Sequence, residues 1–479
     1  MLFNSFNFLF FFPAVVILYF ALKHKYRWVF LLIASYYFYM SWKPVYALLL
    51  ISSTLIDFYC GLQMSKLSDK KDRKKFLWLS IVSNFSVLFF FKYFNFLNDS
   101  IKEVFSFMSI SIEIPTLEIL LPVGISFYTF QAVSYSIDVY RGSMKAETNL
   151  GHFALYISFF PQLVAGPIER PSNLLPQFKK EKKFNYQLAA SGLRLMAWGF
   201  FKKLVIADNI AVIVNSIYAQ HDSVSGGWLL IGAFLFTIQI YCDFSGYTDI
   251  AIGAARVMGF DFMKNFNRPF FSKSITEFWS RWHISLSTWF RDYLYIPLGG
   301  NRTVKWRWYY NLFITFLISG LWHGANWTFV TWGAIHGLTI VIERFFNVQI
   351  SKNRFIRYFQ ILVTFTILVL TFHVFRSETI ENSLNGFHRL FSDLLSFKLS
   401  TFLNFDSIQL NIIKVDWVII AFGILLLFTI EFIQRKHKIG TLIYKLSTWK
   451  RWIIYCVFLI TILLLGKFEG PQEFIYFQF

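Results

Sequence analysis

The sequence predicts an all-α polytopic membrane protein of about twelve transmembrane helices, and three observations carry the prediction. Of its 479 residues 56% are hydrophobic, 21% aromatic and only 15% charged, and the mean hydropathy is +0.49. No soluble domain hides that much apolar surface. Apolar stretches of spanning or near-spanning length recur at 7–22, 28–41, 45–62, 76–97, 117–139, 188–219, 227–256, 308–321, 327–343, 358–376, 416–434 and 453–468. Between them lie short basic runs: Lys23 to Arg27, Lys70 to Lys75, Lys179 to Lys183, Arg302 to Arg307 and Arg435 to Lys438. With both termini outside, all five fall on one side, which the positive-inside rule makes cytoplasmic. The formal charge of +19 is thereby a topology signal, and no separate basic face with interleaved aromatics points to nucleic acid.

The N-terminal stretch MLFNSFNFLFFFPAVVILYF lacks a basic leader and a small-residue cleavage motif, so it is expected to stay as the first helix. The 61 phenylalanines add hydrophobicity without specifying chemistry. Residues 151–167, GHFALYISFFPQLVAGP, are apolar, yet both of their ends must be cytoplasmic to keep the basic runs on one side. A re-entrant hairpin broken at Pro161 and Gly166-Pro167 meets that demand, provided that protein or water satisfies its backbone.

Residues 274–295, SITEFWSRWHISLSTWFRDYLY, begin with a capping box, Ser274 with Glu277 three residues on. At about 100° per residue, Phe278, Trp279, Trp282, Leu286, Trp289, Phe290 and Tyr293 share one arc of roughly 120°. Glu277, Ser280, Arg281, Ser285, Ser287, Thr288, Arg291 and Asp292 fill the other side, with Ile284 as the clearest exception. Such a helix lies in the interface or lines a polar cavity, and Pro297-Leu-Gly-Gly300 ends it. The outer loop 377–415 carries no recognisable motif and has room for a short helix. Cys60, Cys242 and Cys456 lie in or beside apolar segments, without metal-type spacing, and read as small hydrophobes.

Three polar groupings are not explained by membrane burial, which charges about 2.5–3.5 kcal/mol for each ionisable group. In QIYCDFSGYTD, 239–249, Gln239 and Asp243 share a helix face, and Asp249 and Arg256, seven apart, are spaced to pair. This grouping suits either a buried network that fixes helix packing or the lining of a substrate path. His283 borders the apolar arc of 274–295, where an interfacial ring and a functional one are both open readings. In GLWHGANWTF, 320–329, His323 falls between two short spans, and Asn326 is placed to cap the second. Broken helices in membranes commonly line a cavity, so His323 is either a ring bonded in a packing kink or a catalytic base, imidazole being suited to proton transfer near neutral pH. His336 lies 13 residues beyond His323, a spacing that argues against a metal site. No G-x-S-x-G elbow, P-loop or dinucleotide fingerprint accompanies them.

Several of these stretches together resemble the membrane-bound O-acyltransferase (MBOAT) family, in its alginate O-acetylating branch: LPVGISFYTFQAVSYSIDVYRG (121–142), FPQLVAGPIER (160–170), DFSGYTDIAIG (243–253), NFNRPF (265–270), SITEFWSRWHISLSTWFRDYLYIPLGGNR (274–302) and GLWHGANWTFVTWGAIHG (320–337). The resemblance implies one membrane-embedded domain over 1–479, with N-terminal helices at 1–115, a catalytic core at 116–345 and C-terminal helices at 346–479. Its re-entrant and interfacial helices would surround a central funnel. It implies His323, the histidine of the WHG motif, as the catalytic residue and His283 as part of the same tunnel. Asp243, Ser245, Tyr247, Arg281, Ser287, Asp292, Trp322, Asn326 and His336 become candidate tunnel-lining residues. Asn326 and the Trp327 indole are candidate oxyanion donors.

The function so implied is an O-acyltransferase of the bacterial cytoplasmic (inner) membrane. It passes an acyl group, in the first instance acetyl, from acetyl-CoA or another thioester toward an extracytoplasmic polysaccharide acceptor, with no bound cofactor and no metal. A partner with a serine-hydrolase-like fold is expected outside. The rival within the family is a D-alanyl transferase for teichoic acid, fed by a carrier protein. A rival of another class is a transporter, which also suits twelve crossings and broken helices but is weakened by the absence of an internal repeat.

Overall fold

The computed structural model describes residues 1–112, 114–117, 120–164, 166–395, 414–437, 439–468 and 474–475. Among the described residues it is helical, with no β-strand. In chain order the helices are α1 (Phe6–Ala21), α2 (His24–Met40), α3 (Ala47–Lys66), α4 (Lys70–Leu88), α5 (Phe94–Phe107), α6 (Ile125–Arg141), α7 (Leu150–Ser158), α8 (Phe160–Leu163), α9 (Pro171–Lys179), α10 (Tyr186–Phe200) and α11 (Asp208–Ala219). They continue as α12 (Gly226–Val257), α13 (Ile275–Trp279), α14 (Ile284–Phe290), α15 (Lys305–His323), α16 (Trp327–Phe345), α17 (Arg354–Arg376), α18 (Ile380–Leu395), α19 (Lys414–Ile433), α20 (Ile439–Tyr444) and α21 (Thr448–Leu465).

Each of the twelve expected apolar stretches falls on a helix or a helical run. Among the described residues, six helical segments suffice by length and composition to cross a membrane: Pro44–Lys66, Lys70–Phe107, Gly226–Val257, Arg354–Arg376, Asp416–Ile433 and Thr448–Leu465. The stretch expected at 117–139 starts late, at Ile125, because Pro122 precedes it and Gly124 sits at φ +76°. A left-handed residue of that kind ends regular backbone, and glycine adopts it without penalty.

The chain forms two compact units, Met1–Met196 with Ile250–Lys264, and Ala197–Asp249 with Asn265–Phe479. In the first, α3, α4 and α6 gather round the fully buried Asp57. It accepts from Ser80, from Asn84 Nδ2 at 2.8 Å and from Ser136 Oγ at 3.2 Å, so one carboxylate ties three helices together. The apolar segment 151–167 is not one helix. α7 stops at Ser158, Phe159 takes φ −53° and ψ 111°, and the single turn of α8 starts at Phe160 with Pro161 as its second residue. The break therefore comes two residues before Pro161, which sits in the first turn of α8, where its missing N–H removes no helical hydrogen bond. Downstream, the buried Glu169 accepts from Asn173 Nδ2 and from the Met263 amide, each at 2.7 Å.

In the second unit a π-turn at Phe201–Ala207 joins α10 to α11. The widened turn holds Lys202 and Lys203, both buried, in a stretch whose composition reads as ordinary helix. α15 and α16 form an antiparallel hairpin with a close crossing at Gly320 and Gly333. A Cβ on Gly320 would stand 2.3 Å from the Phe329 carbonyl oxygen, and one on Gly333 would stand 2.5 Å from that of Phe316. Only hydrogen fits there. The helix expected in the outer loop is α18, whose Gly386 lies against the His373 ring. Residues 396–413 of that loop lie outside the described residues.

Candidate active site

α15 ends on His323, Gly324 is extended, and α16 starts at Trp327 behind Asn326. Asn326 caps α16 as its position suggests: Oδ1 accepts from the Thr328 amide at 3.0 Å, and Nδ2 donates to the Glu378 carbonyl at 2.8 Å. Both halves of that amide are committed. His323 is 2% exposed and is walled by rings, with centroids 5.1 Å from Trp322, 5.1 Å from Trp332 and 5.7 Å from Phe375. Helix termination thus places an imidazole at the end of α15 without exposing it to solvent.

The second imidazole arrives on a different element. The serine half of the capping box forms, Ser274 Oγ accepting from the Glu277 amide at 3.0 Å, whereas the Glu277 carboxylate reaches one residue further back and accepts from the Lys273 amide at 2.8 Å. The helix, however, does not run through to 295 as periodicity predicts. α13 stops at Trp279, His283 adopts φ +43° and ψ 52°, α14 spans Ile284–Phe290, and a π-turn covers Arg291–Tyr295. Left-handed backbone at a non-glycine costs about 1–3 kcal/mol and persists only where surroundings impose it. His283 is fully buried, and burial pushes its imidazole down to about 3, so the ring is neutral near pH 7.

The two histidines flank one indole. His283 lies 6.0 Å and His323 5.1 Å from Trp322 by ring centroid. Past His323 the row continues to Trp332, then to His336 at 4.7 Å from Trp332 and to Trp279, whose Nε1 donates to His336 Nδ1 at 3.3 Å. His283, Trp322, His323 and His336 are thereby brought together. Trp332, Trp279 and Phe375 join them, although in the sequence nothing separates these three from bulk apolar residues. The indole Nε1 of Trp332 is buried and makes no hydrogen bond within the described residues.

The polar run of α12 is engaged with the two lysines. Lys203 Nζ lies 2.7 Å from Asp243 and 2.9 Å from Asp208, and Lys202 Nζ lies 2.7 Å from Asp249 while donating to Ser245 Oγ at 2.8 Å. Asp249 therefore pairs with Lys202, not with Arg256, which donates to Ser191 Oγ at 3.2 Å. The nearer, fully enclosed ammonium outcompetes a partner two turns along the helix. Asp243 also accepts from the Ile475 amide at 2.8 Å, and the Phe474 ring lies tilted, 4.5 Å from the buried Tyr247 ring. Gln239 is buried on the same helix. Arg281 pairs with Glu277, Ser287 Oγ donates to the Trp282 carbonyl at 3.3 Å, and Asp292 pairs with Arg291 at 2.7 Å, so these three make local contacts along 274–295. Among the described residues, no group of three or more His, Cys, Asp or Glu side chains is arranged to hold a metal ion.

Chemically, the arrangement offers imidazoles at a helix break, an enclosing wall of indole and phenyl rings, and a buried N–H donor beside one imidazole. Such a site supports proton transfer to and from a neutral substrate group kept away from bulk water.

The family model described as MBOAT, membrane-bound O-acyltransferase family, matches residues 146–379. The chain is 42% identical over 427 residues to a probable alginate O-acetylase AlgI of Pseudomonas aeruginosa, covering 88% of this chain and 81% of the relative. It is 35% identical to a peptidoglycan O-acetyltransferase of Helicobacter pylori, covering 74% and 72%. It is 31% identical to a teichoic acid D-alanyltransferase of Bacillus subtilis, covering 53% and 69%.

Proposed function

The chain belongs to the membrane-bound O-acyltransferase family and is a multi-pass membrane acyltransferase, and from that premise we propose that it transfers an acetyl group from a cytoplasmic thioester across a bacterial inner membrane. The acetyl group serves O-acetylation of an extracytoplasmic polysaccharide, with His323 as general base. The twelve helical segments are twelve crossings with both termini outside, and the donor is acetyl-CoA or a related thioester.

The observation that carries this reading is the position of His323, a buried imidazole at the end of a broken span, enclosed by Trp322, Trp332 and Phe375. A charged acyl-CoA does not cross hydrocarbon, whereas its neutral acetyl group passes through a protein-lined break. The acceptor hydroxyl attacks the thioester carbonyl carbon as His323 takes its proton. The tetrahedral oxyanion then collapses, the carbon–sulfur bond breaks, and the imidazolium returns the proton to the departing thiolate. For the oxyanion, the Trp332 N–H is a better donor than Asn326, whose amide is committed on both sides. The acceptor is reached through an exported partner of serine-hydrolase-like fold, since the helical chain offers no exported glycan-binding domain within its described residues.

Acetyl is favoured over D-alanyl because the two O-acetylating relatives cover 88% and 74% of the chain and the D-alanylating one 53%. The D-alanyl alternative requires a carrier-protein thioester and fails if free acetyl-CoA suffices. The test of the base is His323→Ala and His323→Gln in membranes supplied with labelled acetyl-CoA. Transfer is expected to fall about 100- to 10,000-fold at unchanged protein level. Transfer near the wild-type rate would overturn the assignment.

A further inference from the structure

His283 sits in left-handed backbone between two short helices, and a single buried residue holds both its ring and the backbone that follows it. Asn265, 1% exposed, accepts the Ile284 amide on its main-chain oxygen at 2.9 Å. Its side-chain Oδ1 accepts the Ser285 amide at 3.2 Å and Ser285 Oγ at 2.8 Å, and faces His283 Nδ1 at 3.1 Å. Its Nδ2 lies 3.4 Å from Thr248 Oγ1 as a donor.

The backbone amide of Ser285 removes the usual ambiguity of an asparagine. An amide N–H is only ever a donor, so the side-chain atom opposite it is oxygen, and the nitrogen is on the Thr248 side. An oxygen facing an imidazole nitrogen at 3.1 Å requires that nitrogen to carry hydrogen. His283 is therefore the Nδ1–H tautomer, and its lone pair is on Nε2. We propose that Asn265 is the positioning residue of the acyl-transfer site, fixing the ring orientation and tautomer of His283 so that Nε2 alone can accept a proton or a hydrogen bond from the reacting groups. This inference rests on the reading of His283 as part of the acyl-transfer machinery.

The choice of amide over carboxylate has a consequence. An aspartate would accept the same three hydrogen bonds, but its charge would stabilise an imidazolium, and a protonated ring offers no lone pair at Nε2. Asparagine orients the ring and leaves it neutral, in keeping with the strongly lowered proton affinity that burial gives His283.

The test compares Asn265→Asp, Asn265→Ala and His283→Gln in full-length protein in native membranes, with acetyl transfer from acetyl-CoA followed against pH. Asn265→Ala is expected to lose roughly 10- to 100-fold in rate, the size typical of removing a group that orients a functional histidine. Asn265→Asp is expected to move the acid limb of the rate–pH profile upward by about one unit or more, a shift that a purely structural contact does not produce. An Asn265→Asp enzyme with the wild-type profile, alongside an inactive His283→Gln, would overturn the positioning role and leave the reading of His283 standing. A fully active His283→Gln would overturn that reading, and the positioning role with it. If Asn265→Asp fails to accumulate, long-range nitrogen-15 correlation spectra of histidine-labelled wild-type protein decide the matter. The proposal requires His283 to show a protonated Nδ1 and an unprotonated Nε2, and the opposite tautomer refutes it.

Discussion

Adding one methyl group at Gly320 should disable the enzyme without unfolding it. In the α15–α16 hairpin a Cβ at this position would stand 2.3 Å from the Phe329 carbonyl oxygen and 3.0 Å from the Gly333 Cα. An ordinary carbon–oxygen contact at helix interfaces is about 3.3–3.6 Å, so the helices must separate locally by about 1.0–1.3 Å. Neither obstacle is the flexible end of a side chain; both are backbone. Three residues on, the same helix ends at His323, and Trp332, one wall of the His323 ring, is next to Gly333 on the other helix. The displacement is delivered to the imidazole and the indole together. Misplacement of reacting groups by about 1 Å costs on the order of 100-fold in rate, whereas overpacking of this kind costs about 1–3 kcal/mol of stability. Gly320→Ala, assayed for acetyl transfer in membranes alongside protein level and thermal stability in detergent, should accordingly retain most of its protein and lose about two orders of magnitude in rate. Wild-type rates from Gly320→Ala would refute the claim that the hairpin crossing sets the position of His323.

Three further outcomes follow from the same geometry. Lys203→Met leaves Asp208 and Asp243 buried without their ammonium and should cost about 3–5 kcal/mol in detergent unfolding, much of it regained by adding Asp208→Asn and Asp243→Asn; no loss in the single variant would contradict the ion-pair assignment. Asn326→Ala removes the cap of α16 and should lower stability by about 1 kcal/mol, read as a shift of the unfolding midpoint. His283 makes stability depend on pH. Its folded-state affinity is lowered to about 3 from an unfolded value of about 6.5, so the unfolded chain takes up the proton first as pH falls. Stability should therefore decline below about pH 6.5, by at most about 1.4 kcal/mol per pH unit, and His283→Asn should flatten that slope.

Much of this was legible in the sequence because its causes are local. Hydrophobic runs located the helices, the serine–glutamate spacing located the start of α13, and an asparagine just ahead of the second apolar run located the cap of α16. His323 stood out as a polar break between two apolar runs, although spacing alone left it open between a packing kink and a catalytic base. What periodicity missed depended on backbone states that side-chain type does not announce. The helix expected over 274–295 breaks because His283 is left-handed, a conformation imposed from outside its own segment by Asn265. Lys202 and Lys203 vanished into an apolar stretch because a π-turn, invisible in composition, brings them onto α12. The expected pairing of Asp249 with Arg256 obeyed helical spacing but ignored a buried competitor from another element. Trp332 could not be told from its many apolar neighbours until the His323 ring was found against it.

The central claim is that the acetyl group crosses while the thioester carrier stays behind. Inside-out membrane vesicles carrying the protein present its cytoplasmic face outward, and acetyl-CoA labelled in both the acetyl and the nucleotide portions can be added outside. The account predicts acetyl label covalently attached to acceptors inside the vesicles with the nucleotide label remaining outside, and with His323→Ala no acetyl label inside while the nucleotide label still remains outside. Both labels entering the lumen together, or acetylation confined to acceptors outside, would contradict it.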